Sequence, residues 1–101
     1  MAPLIIHFTT RARREMREIL GFIAQENPKA ASDLAGRITE GLEHKARFPN
    51  SGRVIPEVPE HPARELVLPP CRVFYLVDKA SIFVLSISRT ERMLRVEQLG
   101  N

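Results

Sequence analysis

Two periods of apolar residues alternate along this chain. Leu4-Ile5-Ile6-His7-Phe8 is a short β-type run, closed by Thr9-Thr10. Either threonine can accept a hydrogen bond from a free amide at a helix start. The period then lengthens: Ala12, Met16, Ile19, Leu20 and Ile23 recur at helical spacing, with Phe22 and Ala24 at the edges of the stripe. Arg11, Arg13, Arg14, Glu15, Arg17 and Glu18 fill the positions between and predict a solvated face. Asn27-Pro28 ends this helix near Glu26 and starts another, since Asn caps well and Pro suits a first helical position. Ala31, Leu34, Ala35, Ile38, Leu42 and Ala46 give the second helix its stripe. So short a connection predicts an antiparallel helical hairpin.

Phe48-Pro49-Asn50-Ser51-Gly52 stops the second helix, and Pro56, Pro59 and Pro62 make the stretch up to Ala63 read as an irregular loop. Three strands follow: Arg64 to Leu68, Arg72 to Val77, and Ser81 to Ser88. Pro69-Pro70 separates the first two, and Asp78-Lys79-Ala80 makes a tight turn between the last two. Successive hairpins imply an antiparallel meander. The predicted architecture is α+β: an N-terminal strand, a helical hairpin, then a three-stranded meander, with the hairpin on a four-stranded sheet. The whole chain, 1–101, is expected to form one domain. The middle and last strands are apolar on both faces, and a helical hairpin covers one. The other is left to a partner or to the last dozen residues.

Composition narrows the chemistry. Hydrophobic residues make up 44%, enough for a packed core, and 15 basic against 12 acidic residues give a formal charge of +3. Lys29, Lys45 and Lys79 are lysine; all other basic residues are arginine, which pairs bidentately with phosphate or carboxylate. A high-GC genome, which favours arginine codons, gives the same bias, so the charge alone does not decide a partner. Cys71 is the lone cysteine, which excludes an internal disulfide and a cysteine metal cluster. No apolar run is long enough to span a membrane. A cytoplasmic protein without membrane, metal or cofactor is expected.

In order and spacing, four pieces of this chain resemble the RelE/ParE toxins, the ParE branch in particular. They are Ile19-x-x-Phe22-Ile23-Ala24 with Asn27-Pro28 and Ala30-Ala31; Phe48-Pro49-x-x-Gly52-Arg53; Pro56-Glu57; and Arg64-Glu65-Leu66 running into Arg72-Val73-Phe74-Tyr75-Leu76-Val77. The resemblance implies the toxin of a bacterial type II toxin–antitoxin pair, neutralised by a small antitoxin that binds it directly. ParE-like members inhibit DNA gyrase and are not nucleases. RelE-like members cut messenger RNA on the ribosome, and some degenerate members only bind antitoxin. A gyrase inhibitor is the leading expectation, the ribosome-dependent nuclease the alternative. Direct DNA binding is not expected without the antitoxin.

Cutting RNA through its own 2′-hydroxyl needs a proton acceptor, a proton donor and cations for the phosphate. RelE-like toxins gather these from the middle strands and the C-terminal segment. Here that segment reads Arg89-Thr90-Glu91-Arg92-Met93-Leu94-Arg95-Val96-Glu97, without His, Tyr or Lys. Arg89, Glu91 and Arg92 are the catalytic candidates it offers, with a solvated charged tail as the plainer reading. His7, His44 and His61 are scattered, and Tyr75 sits in the densest apolar run, where core packing is its natural role. Arg53, Arg64, Arg72, Arg89 and Arg92 fall near strand ends or in loops and are the candidates for antitoxin or target contact. Arg53 and Arg64 also match positions where the family often has arginine. Internal bonds to loop carbonyls, Glu57 or Glu65 are the competing role. The antitoxin's C-terminal segment is expected to fold into an apolar groove beside the sheet.

Overall fold

Thr9 sets where the first helix begins. Its hydroxyl accepts the Ala12 amide at 3.1 Å, satisfying one of the free donors of an opening helical turn. Behind it lies β1, Ile5–Phe8, and ahead α1, Thr10–Glu26. Asn27 works on both sides of the next corner. Its amide donates to the Ile23 carbonyl at 2.9 Å, and its side-chain oxygen accepts the Ala30 amide at 3.0 Å. Pro28 then opens α2, Pro28–Arg47. The computed structural model describes residues 2–100.

The remaining strands are β2, Arg53–Val54; β3, Arg64–Leu68; β4, Cys71–Asp78; and β5, Ser81–Arg89. Lys79, in the left-handed region at φ 56°, turns the chain between β4 and β5. The antiparallel meander from β3 to β5 is as expected. Two features differ. The sheet has five strands in the order β1-β5-β4-β3-β2, because Arg53–Val54 pairs with Arg64–Glu65 inside the stretch read as an irregular loop. Two residues are too few for alternation to register. The sheet is also mixed: β1 runs parallel to β5, with Ile5 opposite Ser81 and Phe8 opposite Val84.

A β-bulge interrupts β5. The register passes from Phe74 opposite Ser86 to Tyr75 opposite Val84, so Leu85 is the extra residue. It inverts the parity of the strand. Ile82 and Val84 face the helices before the bulge, and Ile87 does so after it.

Between helices and sheet, Leu34, Ile38 and Leu42 of α2 and Ala12 of α1 pack on Cys71, Val73, Val84 and Ile87. Each large aliphatic side chain buried there contributes about 1.5–3 kcal/mol. Tyr75 lies in the adjoining cluster and donates its hydroxyl to the Pro49 carbonyl at 3.1 Å. Gly52 lets it in, since a methyl group there would overlap the Tyr75 hydroxyl. The opposite face has its own cover. Phe74 is fully buried under Ile55, Ala63, Leu94 and Leu99, so the loop after β2 and the last dozen residues share that task.

Candidate functional site

The C-terminal segment is strapped across the open face of the sheet by charge. Arg72 projects from β4 between two carboxylates. Its Nη1 and Nη2 reach the Glu57 oxygens at 2.8 and 2.7 Å, and its Nε reaches Glu65 at 2.9 Å. Glu65 is completely buried and also accepts from Arg53 Nε at 2.8 Å. The strap is bound from both ends of this network: the Leu94 amide donates to Glu57 at 2.9 Å, and Arg72 donates to the Arg92 carbonyl at 3.3 Å. Hydrogen bonds from Arg72, then from the Leu94 amide, hold the Glu57 carboxyl at a pKa of about 2 instead of the usual 4.5, against an opposing push from burial. A depressed carboxylate pKa stabilises the fold above the unfolded value and loses that contribution as pH falls. Unfolding measured from about pH 5 down to about pH 2 should therefore lose about 2 kcal/mol more in the wild type than in Glu57→Gln, after allowing for solvent at this partly exposed group.

Arg72 is thus enclosed, 7% exposed, with all three guanidinium nitrogens engaged by Glu57, Glu65 and the Arg92 carbonyl. Of the two roles open to it from sequence, the structure gives it the internal one. Arg64 likewise donates to the Gly52 carbonyl at 3.0 Å. Arg53 stays 61% exposed in its side chain while bonding Glu65.

Arg89 and Arg92 belong to a different place. They line a cleft of about 670 Å³ whose walls are α1 and the C-terminal segment and whose floor is the far half of β5. Arg11 and Arg95 join them, against Glu15 and Glu18. Arg11 pairs with Glu15 at 3.6 Å and Arg89 with Glu91 at 2.9 Å, whereas Arg92 and Arg95 pair with no carboxylate among the described residues. Phe22 and Met93 both line the cleft, 61% and 79% exposed, and Arg89 lies 5.7 Å from the Phe22 ring. Ser88 is buried on the floor, and its hydroxyl is the one buried side-chain polar atom without a partner among the described residues. Glu15, read from sequence as solvated, instead turns inward. Its carboxylate accepts the Ile87 amide at 3.0 Å and the Ser86 hydroxyl at 2.8 Å.

A cleft with unpaired cations, exposed apolar walls and a strand edge for its floor suits a peptide better than a small reactant. Comparison with known families bears on this. Residues 6–94 match the family model described as the ParE toxin of the type II toxin–antitoxin system parDE. The chain belongs to this family.

Solved structures agree with the ParE assignment. A chain of the chromosomal ParDE system of P. aeruginosa superposes with a TM-score of 0.71 at 25% identity, covering 87% of this chain and 97% of that one. A chain of the RelBE2 toxin–antitoxin complex of Mycobacterium tuberculosis shares the fold, with a TM-score of 0.63 at 18% identity over 87% and 99%. No curated protein sequence matches.

Other polar residues of this ParE-family toxin remain apart. His7 stacks on Phe83 at 5.2 Å, His44 lies against Phe48, and His61 accepts the Ala63 amide. Tyr75 is fully buried on the helix side, and burial raises its pKa. Glu91 is exposed, its carboxyl held below the usual range first by its own amide and then by Arg89, which makes it a weaker base. Sequence reasoning missed Arg11, Glu15, Phe22 and Ser88 as parts of one site. Nothing local marks them, because only the packing of α1 beside β5 brings them together.

Proposed function

We propose that this chain arrests growth by binding DNA gyrase in the bacterial cytoplasm and that a cognate antitoxin silences it by docking in the cleft beside β5. The observation that carries this reading is the state of Arg72. In a nuclease of the RelE type, the meeting of the middle strands and the C-terminal segment presents a free cation to phosphate and a proton-transfer partner beside it. Here Arg72, the cation that β4 contributes, is neutralised by Glu57 and Glu65, and Tyr75 lies on the other face of the sheet. Among the described residues, the free Arg92 and Arg95 therefore have no histidine, tyrosine or lysine beside them in the cleft. What the surface offers is a peptide-sized cleft lined by unpaired arginines, which supports action by contact and direct binding of protein rather than of DNA.

Purified toxin is expected to abolish gyrase supercoiling at stoichiometric concentration and to leave messenger intact in a translating extract. Codon-specific cleavage in the extract would establish the ribosome-dependent nuclease instead. Silence in both assays, with antitoxin still bound, would leave only the antitoxin-binding role.

A further inference from the structure

The floor of the cleft is an incomplete parallel β-ladder, and we infer that an extended acidic peptide segment completes it, running in the same direction as β5 with an acidic residue opposite Ser88 flanked by apolar ones. This rests on the reading of the chain as an antitoxin-bound toxin and names the chemistry of the contact.

β1 already pairs parallel with the first half of β5, but it stops at Phe8, opposite Val84. The chain departs there through Thr9, whose amide donates to the Val84 carbonyl and whose hydroxyl donates to the Leu85 carbonyl. Beyond the bulge, the outward groups of β5 follow the alternation of its antiparallel ladder with β4. The Ile87 amide points away from β4, since it bonds Glu15. The Thr90 amide points toward it, bonding the Pro70 carbonyl. The Ile87 carbonyl and the Arg89 amide therefore face the cleft as well, and neither has a partner among the described residues. The Arg89 carbonyl is taken by the Arg92 amide, and the Ile87 amide by Glu15.

These two groups bracket Ser88, and that spacing selects an orientation. In a parallel ladder one incoming residue donates its amide to the carbonyl before its opposite number and accepts from the amide after it. One residue opposite Ser88 thus satisfies both groups. An antiparallel strand would need the Ile87 amide that Glu15 already holds. The geometry also selects side chains. Ser88 is opposite Arg72, so its hydroxyl lies on the open face of the sheet. A residue beside it in a parallel ladder projects to the same face, toward the C-terminal wall that carries Arg92 and Arg95. A carboxylate there would accept from the unpartnered Ser88 hydroxyl and from the unpaired guanidiniums. The residues on either side project to the other face, against Ile19 and Phe22 of α1. The pattern is apolar, acidic, apolar.

The test uses the full chain, labelled for amide-resolved NMR, and two acetylated, amidated peptides that differ only at the centre, Val-Glu-Val or Val-Lys-Val. Expected are binding of the Glu peptide about tenfold tighter than the Lys peptide, slowing of Arg89 amide exchange by at least about tenfold at saturation, and severalfold weaker binding to Ser88→Ala. Equal affinity for both peptides, unchanged Arg89 exchange in the bound state, or no binding of either at millimolar concentration would overturn the inference. Failure of the underlying reading looks different: co-expression with ParD-type antitoxins would yield no complex. A stable complex with an unprotected Arg89 amide would overturn the strand addition and leave the antitoxin reading standing.

Discussion

Arg72→Ala is expected to lose about 3–5 kcal/mol of stability, most of what a domain of this size has to lose. The loss does not measure what the ion pairs contribute. It measures the cost of leaving Glu65, fully buried, and Glu57 without their cation. The strap suffers too, since the Arg92 carbonyl loses its donor. Arg72→Lys should recover only part of the loss, because an ammonium cannot reach Glu57 with two nitrogens and Glu65 with a third in one plane. Replacing Arg72, Glu57 and Glu65 together by methionine or leucine should recover more than half, as an apolar set leaves no buried charge. Chemical denaturation of the three variants checks this. A single-site alanine loss below about 1 kcal/mol would show that water reaches the carboxylates and that the network is not sealed.

Arg92→Glu with Arg95→Glu should act on binding and spare the fold. Neither arginine pairs with a carboxylate among the described residues, and both are exposed, so thermal midpoints should move by little. Antitoxin affinity, by contrast, should fall at least about a hundredfold, or 2.7 kcal/mol, as two attractions become two repulsions in a partly enclosed cleft. Titration of the purified toxin with its antitoxin at low and moderate salt reads this. The wild type should weaken with salt, and the variant should lose most of that dependence. An unchanged dissociation constant would place the antitoxin elsewhere on the molecule.

The residues that act locally were legible in the sequence. Thr9, Asn27 and Pro28 fix helix ends through contacts three or four positions away, and the two helices lie where the stripes put them. The hairpins of β3, β4 and β5 are equally local. What escaped is whatever depends on distant partners. The parallel pairing of β1 with β5 has no short-range signal, and the bulge at Leu85 shows only as a change in which side chains of β5 are buried. For Arg72 the sequence left two roles open, contact with a partner or internal bonds to Glu57 or Glu65, because nothing local shows that both carboxylates, fifteen and seven positions away, converge on it. The second apolar face was expected to need cover from a partner or from the last dozen residues, and Leu94 and Leu99 of that segment supply it together with Ile55 and Ala63, which the loop gave no sign of.

The pairing of Ile5 with Ser81 bears on when the toxin comes into being during synthesis. A chain leaving the ribosome presents β1 well before β5, and that strand has nothing to pair with until β5 has emerged. The helical hairpin can form early, but its apolar stripe has no sheet to cover until β4 and β5 have also emerged. Folding is therefore late and dominated by contacts distant along the chain, which slows it. An antitoxin present at the site of translation meets a polypeptide that is not yet poisonous.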